Sequence, residues 1–281
     1  MIGIIIVSYG DPGRTVRFVK EECAKVAAEH RVVVVDNGGV EFSTELLQKG
    51  LGPDAVVLPA GGNIGFARAN NLGAGYAIRE LGADLLLFVN NDIVFTDADV
   101  ADRLAARLPA IPEAGMIGPK VVGLDGRLQS PEPFRSFACQ HLLPYWGKLF
   151  MSRRALDEKL QRDYAEKAAE GPHYRLMGSI FMMRSADFEA CGGMDPGTFL
   201  FAEEAILSER LKRIGKCVWY DPSVQVLHEH GATIGKHFNQ VKRRRMRLES
   251  DAYYYRKYIG LSHLQLFAAR LTYALKALFG R

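Results

Sequence analysis

Two amides and a carboxylate, Asn90-Asn91-Asp92, directly follow the apolar run 85–89. That run has the pattern of a strand buried on both faces. Divalent cations such as Mg²⁺ and Mn²⁺ take oxygen ligands and commonly reach a protein through one or two carboxylates together with substrate phosphates. Asp92 is therefore a candidate anchor for a metal–diphosphate unit. The alternative is turn chemistry, because Asn and Asp are favoured where a strand enters a loop.

Two further acids, Glu203 and Glu204, open a segment whose apolar residues recur at helical spacing up to Gly215. Acids in the first turn of a helix are favoured by its dipole in any case. A chemical interpretation is that one of them is a general base. Sugar transfer from a nucleotide diphosphate needs a carboxylate to take the proton of the acceptor hydroxyl, while a metal ion stabilises the leaving diphosphate. One base then suffices, in contrast to the two carboxylates of a glycosidase.

His228 follows an apolar run and is a candidate ligand for the metal or donor to the diphosphate, with His230 as a substitute. The alternative is a packed or solvated histidine. Glycines at 61, 62 and 65 precede a helical segment and can let backbone amides approach a phosphate, with Asn63, Arg68 and Asn71 reaching ribose or base. The spacing does not match G-x-G-x-x-G, and a glycine turn into an ordinary helix is the alternative.

The elements that must position these residues alternate between strand and helix. Strands are predicted at 2–8, 31–36, 55–59 and 85–89, and helices at 14–29 and 65–81. Such alternation predicts an α/β fold with a mostly parallel sheet, in which ligands bind beyond the carboxyl ends of the strands. The residues there are Ser8 and Tyr9, Asp36 and Asn37, and the 90–92 segment. We expect them to line a nucleotide cleft.

The second half of the chain is less regular. A helix with Thr96 as its N-cap and a strand within 116–122 are predicted, and 123–170 is interpreted as a lid or acceptor-side insertion. A strand, a turn and a helix follow in 178–188, then the helix with Glu203 and Glu204, then two short strands between 217 and 233. We predict one catalytic domain, 1–240, and a tail, 241–281.

The length of 281 residues is ample for a core, and four cysteines without a CxxC pair favour a reducing compartment. The first residues have the pattern of a strand without a basic leader, so a cytoplasmic protein is expected.

The net charge of +4 is unevenly distributed, because 242–281 hold ten basic residues and two acids, which leaves the first 241 residues at −4. The basic segment predicts an anionic partner.

The tail carries apolar residues at helical spacing with basic residues alongside. They are Leu264, Phe267, Leu271, Leu275 and Leu278, with Arg270, Lys276 and Arg281. This pattern fits a helix in a membrane interface and equally a helix packed on the domain. The charge also fits nucleic acid, but no recognition motif accompanies it, so no nucleic-acid partner is expected.

Taken in order, five blocks resemble glycosyltransferase family 2, most closely its rhamnosyltransferase-like bacterial members. The blocks are IIIVSYG, VVVVDNGG, GGNIGFARANN, LLLFVNNDIVF and the long run from Gly178 to Thr233. The resemblance covers about 2–235. It implies a GT-A fold, with a Rossmann-like central sheet flanked by helices, and inverting transfer from a UDP- or dTDP-sugar, dTDP-rhamnose included. A glycan or lipid-linked acceptor in surface polysaccharide synthesis at the inner face of the cytoplasmic membrane is also implied.

The resemblance implies residue roles as well. Asp36 stands where the family bonds the pyrimidine base, with Ser8 and Tyr9 beside it. The 90–92 segment stands at the D-x-D motif, so Asp92 would hold Mg²⁺ or Mn²⁺, and Asn90 would face the ribose with Asn91 next to it. Glu204 matches the catalytic base, and His228 the histidine after the last core strand.

Two positions depart from the family pattern: Asn90 replaces the first acid of D-x-D, and Ile206 replaces an acid that often follows the base. These departures motivate a rival hypothesis, a non-catalytic homologue that binds a sugar nucleotide or glycan. A nucleotidyltransferase is a second rival. It would need a Gly-rich basic loop after the first strand, to which SYGDPGRT is only a partial match.

Overall fold

The computed structural model describes residues 1–38, 40–41, 43–132, 168–229, 240–264 and 267. The strands are β1 Ile2–Ser8, β2 His30–Asp36, β3 Ala55–Pro59, β4 Leu85–Val89, β5 Ile93–Phe95, β6 Ala114–Gly123, β7 Leu128–Ser130, β8 Gly171–His173, β9 Ile180–Arg184 and β10 Cys217–His228. The α-helices are α1 Pro12–Glu21, α2 Ser43–Leu51, α3 Phe66–Arg79, α4 Val100–Arg107, α5 Ser185–Ala190, α6 Glu203–Arg213 and α7 Gln240–Tyr254. A π-helical turn, Tyr255–Ile259, continues α7.

The described strands form one sheet whose main order is β3-β2-β1-β4-β9-β6-β10-β5. The first four strands are mutually parallel, as the alternating sequence predicts. The other half is mixed, because β9 runs antiparallel to both β4 and β6 while β6 and β10 are parallel. The α/β class is thus confirmed, and antiparallel pairs are more numerous than a mostly parallel sheet would have.

The sheet curls so that its β5 edge lies close to the end of the central strand β4. β5 follows β4 after only three residues, yet it pairs with β10 at the far end of the strand order. The 90–92 segment therefore bridges the sheet from the middle to its edge. This connection decides which residues become neighbours of Asp92.

Both faces of the sheet are covered by helices. Along β1, Ile4 and Ile6 belong to one buried cluster with Phe18 of α1 and Leu104 of α4. Ile5, which points to the other face, belongs to a second cluster with residues of α3 and α6. Since side chains alternate along a strand, a β-branched run without polar interruptions suits this doubly covered position.

Several predicted boundaries are wrong, each through a tertiary contact. The helix expected over 14–29 ends at Glu21, and the carboxylate of Asp102 accepts hydrogen bonds from the amides of Ala27 and Ala28 beyond it. The helix expected to begin at Thr96 begins at Val100, because the Thr96 hydroxyl donates to the carbonyl of Gln225 at 2.7 Å.

The two short strands expected after residue 217 are one strand, β10, with a register shift between Asp221 and Gln225. Pro222 lies at the shift, where a residue without an N–H disturbs the ladder least. In 178–188 the helix α5 follows β9 without an intervening turn.

The C-terminal segment packs on the start of α6. Ala252, Tyr254 and Tyr255 form a buried cluster with Ala202, Ala205 and Ile206. Leu264 and Phe267 are exposed, and the remaining tail residues of the amphipathic pattern, together with His230, lie outside the described residues. Within the described ranges we find no helix with the length and apolar character needed to cross a bilayer.

Candidate active site

Asp92 and His228 are neighbours at the edge of the sheet where β5 pairs with β10. His228 is the register partner of Ile93 in the β10–β5 pair, and the Glu229 amide donates to the Asp92 carbonyl at 2.8 Å. Asp92 Oδ1 lies 3.3 Å from His228 Nε2, and this buried oxygen has no hydrogen-bond partner. Asp92 Oδ1 and His228 Nε2 are therefore two potential metal ligands that lie side by side.

Two side chains that were not predicted as site residues, Gln129 and Arg14, hold this pair in place. Gln129 Oε1 lies 2.8 Å from His228 Nδ1, which fixes the orientation of the ring with Nε2 directed towards Asp92. Arg14 donates from Nε to the Asn91 carbonyl at 3.0 Å and from Nη2 to Glu229 at 2.7 Å. Arg14 therefore fixes the 91–92 turn against the end of β10.

Glu204 lies in the first turn of α6, as predicted, and its carboxylate approaches the backbone before β9. Gly178 N–H donates to Glu204 Oε1 at 3.1 Å. A Cβ at position 178 would overlap the Glu204 carboxylate, so only glycine permits this contact. The need for glycine at position 178 arises from this three-dimensional contact, and no spacing in the sequence indicates it.

A closed series of contacts, which we call the contact ring, connects Asp92 to Glu204. Its links are Asp92 with His228, His228 with Gln129, the neighbouring Ser130 hydroxyl with the Met177 amide at 3.2 Å, Gly178 with Glu204, and Ser179 O with the Asn90 amide at 2.8 Å. The acid after β4 and the acid opening α6 are thus held at one edge of the sheet, by neighbouring residues of 177–179.

The electrostatic surroundings of the two glutamates differ. Burial raises the pKa of Glu204, while the positive charge of Arg175 opposes the rise. Arg175 is itself ion-paired with Glu132. Glu203 is 3% exposed, its Oε1 has no hydrogen bond, and burial together with the charge of Glu204 raises its pKa to about 8. Burial thus raises the pKa of both glutamates.

The backbone that delivers these acids is strained. Phe201 and Ala202, directly before α6, have φ of 77° and 67°, values that residues with a Cβ adopt rarely. Ile206, where the family pattern often has an acid, is fully buried in the cluster with Ala252 and Tyr255. The apolar residue at 206 thus serves the docking of α7.

The predicted nucleotide-binding residues cluster at the carboxyl ends of β1 and β2. Ser8 and Asp36 are register partners there, and Tyr9 is half-buried beside them. The Asp36 carboxylate accepts hydrogen bonds from the Gly38 amide and from the Ser43 and Thr44 hydroxyls. Asp36 therefore also shapes the loop that follows β2.

Asn63 is exposed near this loop, and its Oδ1 accepts from Asn37 Nδ2 at 3.1 Å. Arg68 is exposed on α3. Asn71 instead grips the backbone of Met194, donating to its carbonyl at 2.8 Å and accepting from its amide at 2.9 Å. Both polar atoms of the Asn71 side chain are thus hydrogen-bonded within the protein.

The two asparagines before Asp92 are placed differently. Asn90 is half-buried, and its backbone amide belongs to the contact ring. Asn91 is buried and donates to Thr15 Oγ1 at 2.8 Å, and Thr15 in turn is hydrogen-bonded to Ser8 Oγ at 2.8 Å. Ser8, Thr15 and Asn91 therefore tie the ends of β1 and β4 to α1 from beneath the edge.

No family model matches the chain. Over 248 residues the chain is 26% identical to N-acetylglucosaminyl-diphospho-decaprenol L-rhamnosyltransferase of Mycobacterium tuberculosis, covering 84% of this chain and 78% of that protein. It is 25% identical over 220 residues to the low-salt glycan biosynthesis hexosyltransferase Agl10 of Haloferax volcanii, covering 77% and 64%. The mannosyltransferase PcManGT from Pyrobaculum calidifontis, solved with GDP-Man and Mn²⁺, superposes with a TM-score of 0.59 at 14% identity, covering 100% and 76%.

The chain is thus similar over most of its length to a rhamnosyltransferase and a hexosyltransferase, and it has a GT-A fold. The resemblance seen in the sequence and the predicted fold class are thereby confirmed. The structure of that mannosyltransferase holds Mn²⁺ together with its nucleotide sugar.

The residues present fit such a cation. The orphaned Asp92 Oδ1 and the neighbouring His228 Nε2 are a hard oxygen and an imidazole nitrogen at a separation that one ion can bridge. In the part of the chain that the structure describes, no group of three or more His, Cys, Asp or Glu side chains could hold a metal. Further ligands would therefore come from water and from substrate phosphates, as is common for Mg²⁺.

Proposed function

We propose that this protein is an inverting, metal-dependent glycosyltransferase of family 2. It transfers a sugar, rhamnose being the favoured candidate, from a UDP- or dTDP-linked donor to a hydroxyl of a glycan or lipid-linked acceptor in surface polysaccharide synthesis. The observation that carries the proposal is the contact ring, which holds a candidate base and a candidate metal pair at one edge of the sheet. Similarity to a rhamnosyltransferase supports the donor sugar.

The donor nucleotide occupies the carboxyl ends of β1 and β2. Asp36 and Asn63 lie where a base and ribose would contact the loops after β2 and β3, and Asn90 lies at the end of β4 towards the diphosphate. Ser8 and Asn91 support this surface from below through Thr15. Arg68, exposed on α3, is a candidate for an outer contact with the nucleotide.

Asp92 and His228 would hold the cation, which supplies positive charge that stabilises the leaving diphosphate. Gln129 orients the imidazole so that Nε2 points towards Asp92, and Arg14 fixes the turn that carries Asp92. These supports matter because a ligand that is misplaced by a fraction of an ångström binds a metal poorly.

Glu204 acts as the general base. Its carboxylate takes the proton of the acceptor hydroxyl as the acceptor oxygen bonds to the anomeric carbon. The bond from that carbon to the diphosphate breaks, and its electron pair leaves with the nucleoside diphosphate. Attack opposite to the leaving group inverts the anomeric centre. A raised pKa suits this role, since a base works best when its pKa lies near the working pH.

Release of nucleoside diphosphate from a panel of UDP-, dTDP- and GDP-sugars tests the proposal. With the correct donor and acceptor, we expect Glu204→Gln to lower turnover by about 10²–10⁴-fold, the usual size of a general-base contribution. Glu203→Gln is the matched control, because it makes the same change one residue earlier and should leave most of the turnover. Donor binding without release in the wild type would favour the non-catalytic rival, and a larger loss in Glu203→Gln would assign the base to Glu203.

A further inference from the structure

The turn that leads into α6 is held at two consecutive backbone carbonyls. The Phe199 carbonyl accepts a hydrogen bond from the Phe66 amide at 3.0 Å, at the start of α3. The next carbonyl, that of Leu200, accepts from the Ser250 hydroxyl of α7 at 2.7 Å. Ser250 is 6% exposed, so water has little access to compete for this bond. The turn is therefore fixed on one side by the helix that follows the glycines of 61–65 and on the other by the C-terminal helix.

The two residues after these carbonyls need such support. Phe201 and Ala202 both have a left-handed backbone, with φ of 77° and 67°. Residues with a Cβ keep this conformation only where the surrounding structure holds it. A second contact from α7 reaches the turn, because Arg247, about one helical turn before Ser250, lies over the Phe201 ring with 4.6 Å between its guanidinium carbon and the ring centroid. The strained turn is thus held from outside by α7.

The conformation of this turn decides where Glu204 lies. The Ala202 carbonyl accepts a hydrogen bond from the Ile206 amide at 3.0 Å, and α6 begins at the next residue. Glu204 is the second residue of that helix, and its carboxylate accepts from the Gly178 amide at 3.1 Å. A rotation of the backbone just before α6 would redirect the first turn of the helix and move the carboxylate away from position 178.

We propose that Ser250 is a positioning residue for the base Glu204. Its hydroxyl holds the Leu200 carbonyl, and through the strained turn it keeps the Glu204 carboxylate in place for the acceptor hydroxyl. This inference rests on the proposed function. It gives a role in the reaction to the segment 241–281, which the sequence analysis separated from the catalytic domain as a basic tail. Because Ser250 acts through the turn and not on the donor, its loss should lower turnover and leave nucleotide affinity unchanged.

Ser250→Ala tests the inference, and alanine keeps the helix intact. With the correct donor and acceptor, we expect turnover to fall about fivefold, the factor that corresponds to one ordinary hydrogen bond, while calorimetry with Mn²⁺ and UDP or dTDP should give the affinity of the wild type. Ser185→Ala is the matched control. Ser185 is equally buried and donates its hydroxyl to the Ala83 carbonyl, at the end of β9 opposite to the contact ring. Turnover in this control should match the wild type.

The Gly178 amide reports the position of the base without any turnover. Because it donates to Glu204, its proton resonance in an NMR spectrum should move upfield in Ser250→Ala, towards its position in Glu204→Ala. The Asn37 amide donates to the Ser8 carbonyl at 2.8 Å, on the nucleotide side, and its resonance should stay where it is in the wild type. In Ser185→Ala both resonances should be unchanged.

Four results would overturn the inference. They are wild-type turnover in Ser250→Ala, an equal loss in Ser185→Ala, a loss of turnover with the Gly178 resonance unmoved, and a loss of nucleotide affinity as large as the loss of turnover, which would mean that the turn positions the donor. A wild type that transfers sugar while Ser250→Ala transfers it equally well loses only this inference. A wild type that never releases nucleoside diphosphate loses the proposed function, whereas the Gly178 resonance still decides whether Ser250 positions Glu204.

Discussion

The Glu204 carboxylate and the Gly178 amide approach each other as closely as they do because residue 178 has no Cβ. In Gly178→Ala the added methyl displaces the carboxylate, and a base moved by about 1 Å loses roughly 10²-fold in rate. We therefore expect turnover to fall by about 10²-fold while donor affinity, measured by calorimetry, stays within about twofold.

Gly13→Ala is the control for this change. Gly13 has negative φ and lies in α1, where an added Cβ meets only Asp11 Oδ1 at 3.6 Å, an ordinary contact distance. Its turnover should match the wild type. Full activity in Gly178→Ala would show that Glu204 reaches the acceptor from a different position, and the proposed contact between base and backbone would be wrong.

The sequence could predict site residues whose side chains are titratable or metal-binding. Asp92, Glu204 and His228 are titratable or metal-binding, and the structure brings them to one edge through the contact ring. Gly178 and Gln129 escaped prediction because their importance lies in a distance to another side chain, and no local pattern records that distance. Their roles, like those of the acids, stay proposals until they are measured.

At the scale of elements, apolar runs predicted the strands well. Local sequence patterns predicted the ends of the helices poorly. The strands at 2–8, 55–59 and 85–89 are observed with the predicted bounds, since a doubly buried strand needs an uninterrupted apolar run. The end of α1 depends on Asp102, about eighty residues later, which takes the amides of Ala27 and Ala28. Such capping by a distant side chain cannot be seen in the local sequence.

The C-terminal element is anchored by Asp195, which is 3% exposed. Its carboxylate accepts hydrogen bonds from Lys257 at 2.8 Å and from Tyr253 at 3.0 Å, and it is hydrogen-bonded to Tyr258. Burial alone would raise the pKa of Asp195, but these bonds outweigh it and hold the pKa well below its ordinary value of 3.8. Because the folded pKa is depressed, the stabilisation is complete above pH 3.8 and is lost as the pH falls further.

Asp195→Asn removes this charge and leaves Lys257 and Arg210 without their carboxylate. We expect the free energy of unfolding at pH 7 to fall by about 3 kcal/mol, as when one partner of a buried pair is removed. Amide hydrogen exchange in 240–259 should accelerate. In the variant, the contribution that the wild type loses below pH 3.8 should be absent.

The control for the anchor is Glu249→Ala, which breaks only the exposed pair with Arg245 on the outer face of α7. Exposed pairs contribute about 0.5 kcal/mol or less, so exchange in 240–259 should stay close to that of the wild type. Unchanged protection of this segment in Asp195→Asn would show that the apolar cluster around Tyr254 and Tyr255 holds α7 without help from the carboxylate.

At the scale of the whole molecule, the curl of the sheet is what assembles the site. β4 and β5 are separated by three residues, and the pairing of β5 with β10 brings the 90–92 segment to His228, more than 130 positions along the chain. Sequence patterns predict the individual strands. They do not predict which strands pair at the edge of the sheet, because the same apolar pattern is compatible with many pairings. The linked order of the blocks indicated the fold but not the pairing of β5 with β10.

Metal and donor should therefore stabilise the whole fold together. A ligand that binds only the native state raises the free energy of unfolding by about 2.7 kcal/mol at one hundred times its dissociation constant, which for a domain of this size raises the melting temperature by several degrees. We expect Mn²⁺ with UDP or dTDP to give this increase, and chelation to remove most of it.

Asp92→Asn should melt near the wild type without ligands, since Oδ1 has no hydrogen bond to lose, but its melting temperature should rise little with Mn²⁺. Asp99→Asn, at an exposed acid seven residues later, should keep the full increase. An equal increase in Asp92→Asn would place the cation elsewhere, and a failure of His228→Gln to reduce it would leave Asp92 as the sole protein ligand among the two proposed.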